Sequence, residues 1–140
     1  MIGDEAVAAA RQCLSTPFRH QGRVPGVGLD CLGLILHVGA AVGCPLAAPR
    51  AYAHDPAHYD LLAGAESNAC LARVRDLSTL QAGDVLLIQI GAHVRHMAIY
   101  TGDTMIHVWG GGVNQVCEHG IDTRWRRRVV AAYRFVRGGV

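Results

Sequence analysis

No two of the five cysteines (Cys13, Cys31, Cys44, Cys70 and Cys117) form a Cys-x-x-Cys pair, and their number is odd. Thiols scattered in this way argue against a disulfide framework and against a structural zinc site. They point instead to a protein made and kept in a reducing cytoplasm. Aromatic residues are scarce at 6%, so small and aliphatic residues carry the apolar bulk. Charge is sparse as well: 13 Lys+Arg against 11 Asp+Glu leaves +2, which does not identify a nucleic-acid binder. The one basic cluster, Arg124-Trp125-Arg126-Arg127-Arg128, reads either as a solvated face or as a contact for an anionic surface. No hydrophobic run makes a good membrane span. The longest, residues 32–48, is broken by His37, three glycines and Pro45. The opening Met1-Ile2-Gly3-Asp4-Glu5 is acidic where a secretory signal would be basic, so no signal peptide is expected. There is no internal repeat and no low-complexity linker.

What is present fits one domain covering 1–140. Hydrophobic residues make up 51% of the chain, enough to fill a core and leave apolar surface for a partner or an assembly. A helix is predicted over 4–14, a Gly/Pro-rich loop over 15–29, and a second helix from Asp30 to about Val42, ended by Gly43 and Pro45. Residues 45–58 read as irregular and 58–74 as a third helix. The second half changes character. Strands are predicted over 85–90, 95–100, 104–109, 113–117 and 129–136, with turns at 81–84 and 101–103. Helices followed by hairpin-connected strands imply an α+β fold with an antiparallel sheet of about five strands.

Cys31 is the candidate nucleophile. Asp30 is placed to cap the second helix, which sets Cys31 in the first turn, where unsatisfied N–H groups favour negative charge. A lowered thiol pKa and a nearby oxyanion site are the expectation. The other four cysteines lack this setting and read as small apolar residues.

If Gly102-Asp103 is a two-residue hairpin turn, Tyr100 pairs with Met105, Ala98 with His107 and His96 with Trp109. Alternation then puts His96 and His107 on one face as diagonal neighbours, with Met97, Ile99, Ile106 and Val108 on the core face. A thiol at a helix start with two histidines on adjacent strands suits a Cys–His–polar arrangement, one histidine taking the thiol proton and the other orienting it. A metal site is not expected. His93 and His96 face opposite ways on a strand, and Pro56 interrupts the His54/His58 pair.

These residues resemble the NlpC-type cell-wall peptidases, a branch of the papain-like fold. The resemblance rests on Thr16-Pro17-Phe18 and its Gly-rich loop, Asp30-Cys31-Leu32-Gly33-Leu34, Leu80-Gln81-Ala82-Gly83-Asp84, His96-Met97-Ala98-Ile99-Tyr100 and Met105-Ile106-His107, in that order over residues 14–136. It implies Cys31 as nucleophile, His96 as base and His107 as orienter. It also implies cleavage of peptidoglycan stem peptides, typically between D-glutamate and diaminopimelate, with no cofactor. The wording Pro17-Phe18-Arg19-His20-Gln21-Gly22-Arg23 is similar to peptidases encoded with phage tails and gene transfer agents. That implies tail-tip or baseplate partners and assembly into a phage-like particle. Phe18 stands where many members carry a tyrosine whose hydroxyl helps hold the oxyanion. His20, beside it on the same loop, is then a candidate donor, and Phe18 and Asp30 flank the same cleft. The alternative reading is a structural tail-tip subunit with a peptidase fold and little turnover.

Overall fold

A computed structural model describes residues 1–47 and 61–137. Helix α1 (Ile2–Arg11) buries Ala6, Val7, Ala9 and Ala10 on one face. It ends three residues short of the predicted 14, where the chain turns through Ser15 at φ 71°. The predicted loop 15–29 holds a small hairpin, β1 (Arg23–Val24) and β2 (Gly28–Leu29). Helix α2 (Cys31–Ala41) starts at Asp30 as expected. The irregular stretch predicted at 45–58 lies outside the described residues from 48 onward. The single helix predicted over 58–74 is corrected. The described part is a short helix α3 (Leu61–Glu66) and then a strand, β3 (Leu71–Arg73). The Ser67 and Asn68 side chains donate back to the Gly64 carbonyl and help to stop the helix there.

The remaining strands are β4 (Val85–Ile90), β5 (His93–Tyr100), β6 (Thr104–His107), β7 (Cys117–Gly120) and β8 (Val129–Phe135). They join β3 in a sheet of six, one more than predicted, ordered β3-β8-β4-β5-β6-β7 with antiparallel pairs. The strand predicted at 113–117 instead begins at Cys117. A six-residue helix α4 (Thr123–Arg128), capped by Asp122, occupies the basic cluster.

Two cores lie on the two sheet faces. On one, α1, α2 and α3 pack over Val85, Leu87, Met97, Ile99, Ile106, Val108 and Tyr133. On the other, Leu86, Ile88, Ala98, Tyr100 and Met105 pack beneath Ile121, Trp125 and Val129. Central strand β4 is therefore buried on both sides and reads Val-Leu-Leu-Ile rather than alternating. No helix among the described residues is long and apolar enough to cross a membrane.

The start of α2 depends on a close backbone approach. A Cβ built on Gly33 would lie 2.0 Å from the Gly22 carbonyl oxygen, so only glycine lets the 19–22 turn rest against the helix. We predict that Gly33→Ala destabilises the fold by about 1–3 kcal/mol, the usual cost of overpacking. Urea unfolding with an unchanged slope and a lowered midpoint is the expected readout.

Candidate active site

Asp30 is buried and anchors the site. Its Oδ1 accepts from the Gly33 N–H at 2.7 Å, and its Oδ2 accepts from the Gln21 N–H at 2.8 Å. Arg23 Nη1 sits 3.2 Å from Oδ1 and also donates to the Gly22 carbonyl. The carboxylate thus ties the 19–23 loop to the helix and is spent on acceptor contacts. Cys31, the first residue of α2, is partly exposed.

The expected low thiol pKa is not what this environment produces. Burial, with the adjacent Asp30 carboxylate second, pushes Cys31 up to about 12. The backbone N–H groups of Met97, Leu32 and Cys31 itself pull the other way without prevailing. The helix start supplies donors, but desolvation of the sulfur outweighs them. Cys31 therefore rests as a thiol. The involvement of the Met97 N–H places its sulfur beside the β5 residue that follows His96.

The predicted hairpin register holds at its inner pairs: Thr101 bonds Thr104, and Tyr100 stands opposite Met105. Beyond Ile99–Ile106 the ladder is not continued. His96 and His107 nevertheless meet as diagonal neighbours, with His96 Nε2 2.6 Å from His107 Nδ1. Both are buried. His96 also stacks at a tilt on Trp109, ring centroids 5.4 Å apart.

The sequence reading missed two members of this site. His107 Nε2 lies 2.7 Å from His119 Nε2, and His119 Nδ1 lies 2.8 Å from the Gly120 carbonyl. Trp125 on α4 lies 5.3 Å from the His107 ring and 5.5 Å from the His119 ring. The signal was available in the alternation of β7. Cys117 pairs opposite His107 and His119 opposite Met105, so both share the histidine face. Glu118 points the other way to Arg11 and Thr104.

In its proton-neutral form this row of three histidines has one consistent set of hydrogen positions. The Gly120 carbonyl can only accept, so His119 carries its hydrogen on Nδ1 and its Nε2 is bare. His107 then donates from Nε2 and keeps Nδ1 bare, and His96 donates from Nε2 and keeps Nδ1 bare. The row presents His96 Nδ1 as the free base. Burial, then the neighbouring histidines His107 and His119, lowers His96 to about 3. Burial, then His119, lowers His107 to about 4.

Of the other proposed residues, His20 is partly exposed on the turn whose next N–H, from Gln21, is held by Asp30. Phe18 is partly buried against the helix-side core. Its ring covers Gly110, where a Cβ would lie 2.5 Å from the ring edge, so it braces the 110–115 loop. His54, His58 and the side chain of His93 lie outside the described residues. His107, Cys117 and His119, by contrast, bring three potential metal-ligand atoms within 4.8 Å of one another.

The NlpC/P60 family model matches residues 15–134. Among solved structures, the chain superposes on an NLP/P60 protein of Staphylococcus aureus, described as similar to a lipoprotein, with a TM-score of 0.68 at 20% identity, covering 96% of this chain and 41% of that one. The NlpC/p60 domain of the peptidoglycan hydrolase SagA gives 0.64 at 23% identity, covering 93% and 96%. The peptidoglycan hydrolase RipB of Mycobacterium tuberculosis gives 0.68 at 17%, covering 96% and 65%. The chain thus spans less than two thirds of the Staphylococcus and Mycobacterium proteins. These structures share its α+β architecture. No curated protein matches the sequence.

Neutral buried histidines couple this site to stability. An unfolded histidine binds a proton near its ordinary 6.5, whereas folded His96 and His107 do so only near 3 and 4. Between those values the unfolded chain holds more protons, so stability rises with pH and is lost as pH falls below about 6.5. Urea midpoints should drop from about pH 7 to about pH 5, and the drop should shrink in a His96→Gln, His107→Gln double variant. A midpoint independent of pH over that window would contradict the neutral pair.

Proposed function

The chain belongs to the NlpC/P60 family, and on that premise we propose that it is a cysteine peptidase acting on peptidoglycan stem peptides, with Cys31 as nucleophile, His96 as base and His107 as orienter. One observation carries the reading: the histidine row ends on the Gly120 carbonyl and leaves His96 Nδ1 bare, one residue from the N–H that serves the Cys31 sulfur.

Because Cys31 rests as a thiol and His96 as a neutral imidazole, no preformed ion pair exists to attack. Proton transfer accompanies bond formation. As the sulfur adds to the scissile carbonyl carbon, its proton passes to His96 Nδ1. The new imidazolium is stabilised through its Nε2–H by the bare Nδ1 of His107. The carbonyl oxygen gathers negative charge near the N–H groups of the first turn of α2, with His20 as a second donor in place of the hydroxyl that Phe18 lacks. His96 then returns the proton to the departing amine and leaves a thioester. A water, deprotonated at the same Nδ1, releases the acid, and the proton goes back to sulfur.

The finer reading is the D-glutamyl–diaminopimelate bond, cut by a protein carried on a phage-like tail tip and assembled there with baseplate partners. The wording of residues 17–23 and the apolar surplus of the chain support it. The missing Phe18 hydroxyl favours a second reading, a tail subunit with little turnover.

Incubation with muropeptides and mass analysis of the products tests the activity. Wild type should release fragments cut at D-glutamate, and Cys31→Ala should release none. His96→Ala should lose about 10²–10⁴-fold in kcat, the usual worth of a general base. His107→Asn should keep more activity than His107→Ala, because an amide can accept from His96 and donate to His119. His119→Gln should likewise outperform His119→Ala. Equal losses at 96 and 107 would contradict the roles, and an inactive wild type would favour the structural subunit. For the tail-tip assignment, the chain should co-sediment with particles purified from its host, and recovery only in the free protein fraction would remove that assignment.

A further inference from the structure

We propose that His107, Cys117 and His119 form a zinc site that switches the histidine row off. The site itself stands on geometry; its inhibitory effect rests on the peptidase reading above.

Strand pairing puts all three side chains on one face. Cys117 is directly opposite His107, and His119 lies two residues further along the same strand. Their ligand atoms lie within 4.8 Å of one another. A tetrahedral zinc with bonds of about 2.0 Å to nitrogen and 2.3 Å to sulfur needs ligand separations of about 3.3–3.6 Å. Side-chain rotation of about an ångström closes the set, opening the 2.7 Å contact between His107 and His119. Two imidazoles and a thiolate suit zinc in preference to magnesium or calcium, which take oxygen ligands. The fourth position faces a cavity of about 270 Å³ lined by Trp109, Gly111, Val113 and Trp125, which admits a water.

The metal takes the place of the proton shared by His107 and His119. With Nε2 of His107 on zinc, that ring carries its hydrogen on Nδ1. His96 Nε2 must then accept rather than donate, so the His96 hydrogen moves to Nδ1, the atom that would take the Cys31 proton. His119 keeps its Nδ1–H on the Gly120 carbonyl and binds through Nε2. Protons balance: four on the resting groups become three, and the one released comes from the Cys117 thiol. One ion therefore reverses the tautomers of His107 and His96 and removes the base without touching Cys31.

Cobalt substitution separates this site from direct capture of the nucleophile. Wild type and Cys31→Ala should both show a near-ultraviolet thiolate-to-cobalt band saturating at one equivalent, displaced by zinc, and Cys117→Ser should lose it. Competition with a chromophoric chelator should show zinc affinity falling by more than about tenfold in Cys117→Ser, since even residues that only support ligands cost 10–100-fold. In the muropeptide assay, zinc should inhibit wild type reversibly on chelation. Cys117→Ser should keep its basal rate and need at least tenfold more zinc for the same inhibition. A band that survives Cys117→Ser and vanishes in Cys31→Ala would overturn the site, as would the absence of any band in wild type. Unchanged zinc inhibition of Cys117→Ser would overturn the switch. The spectra need no turnover, so a chain that shows the band yet cuts nothing keeps the site and fails the peptidase reading.

Discussion

The Asp30 carboxylate is the constraint on which the rest of this structure depends. One buried group accepts from a loop N–H and a helix N–H and engages Arg23, so the 19–23 turn, the small hairpin and the start of α2 are fixed relative to one another. Truncating it would leave buried donors unpaired as well as an uncapped helix, and each loss is of kcal/mol size. The same charge has a chemical cost. It stands beside Cys31 and opposes the thiolate that the helix start favours. The fold places Cys31 firmly and does not pre-ionise it.

Local chemistry with short range was legible in the sequence. Asp30 before an apolar run announced the cap and the first turn of α2. Thr101-Gly102-Asp103-Thr104 announced the hairpin, and from its register came the diagonal approach of His96 and His107. Legibility failed where distant groups decide. The thiol pKa depends on how completely other segments cover Cys31, and that cover is invisible in the local motif. The 58–74 stretch carries helical composition, but Leu71 and Ala72 pair with Phe135 and Arg134, more than sixty residues away, and tertiary pairing overrides local propensity. His119 went unnoticed because the strand expected over 113–117 stops short of it, whereas β7 begins at Cys117 after an irregular glycine-rich stretch, so the alternation was read on the wrong residues.

The histidine row serves one purpose through three rings and one carbonyl. A neutral imidazole has a single donor and a single acceptor, so in a row of such rings the polarity of the whole is set at its far end by an atom that can only accept. Such a row is rigid in register yet reversible in sense. Trp109 and Trp125 lie against its rings and limit the water that would otherwise compete for the bare nitrogens.

The outermost strand of the sheet carries the far end of that row, and its phase is held from behind. Arg11 on the first helix grips Glu118 with two nitrogens, at 3.1 and 2.9 Å, and Thr104 adds a third contact. An edge strand four residues long has little of its own to resist slippage. A shift of one residue would turn Glu118 toward the tryptophans and Cys117 and His119 toward the helices. The clamp therefore works as an alignment pin, and a helix on the far side of the sheet decides which way a proton can move in the cleft.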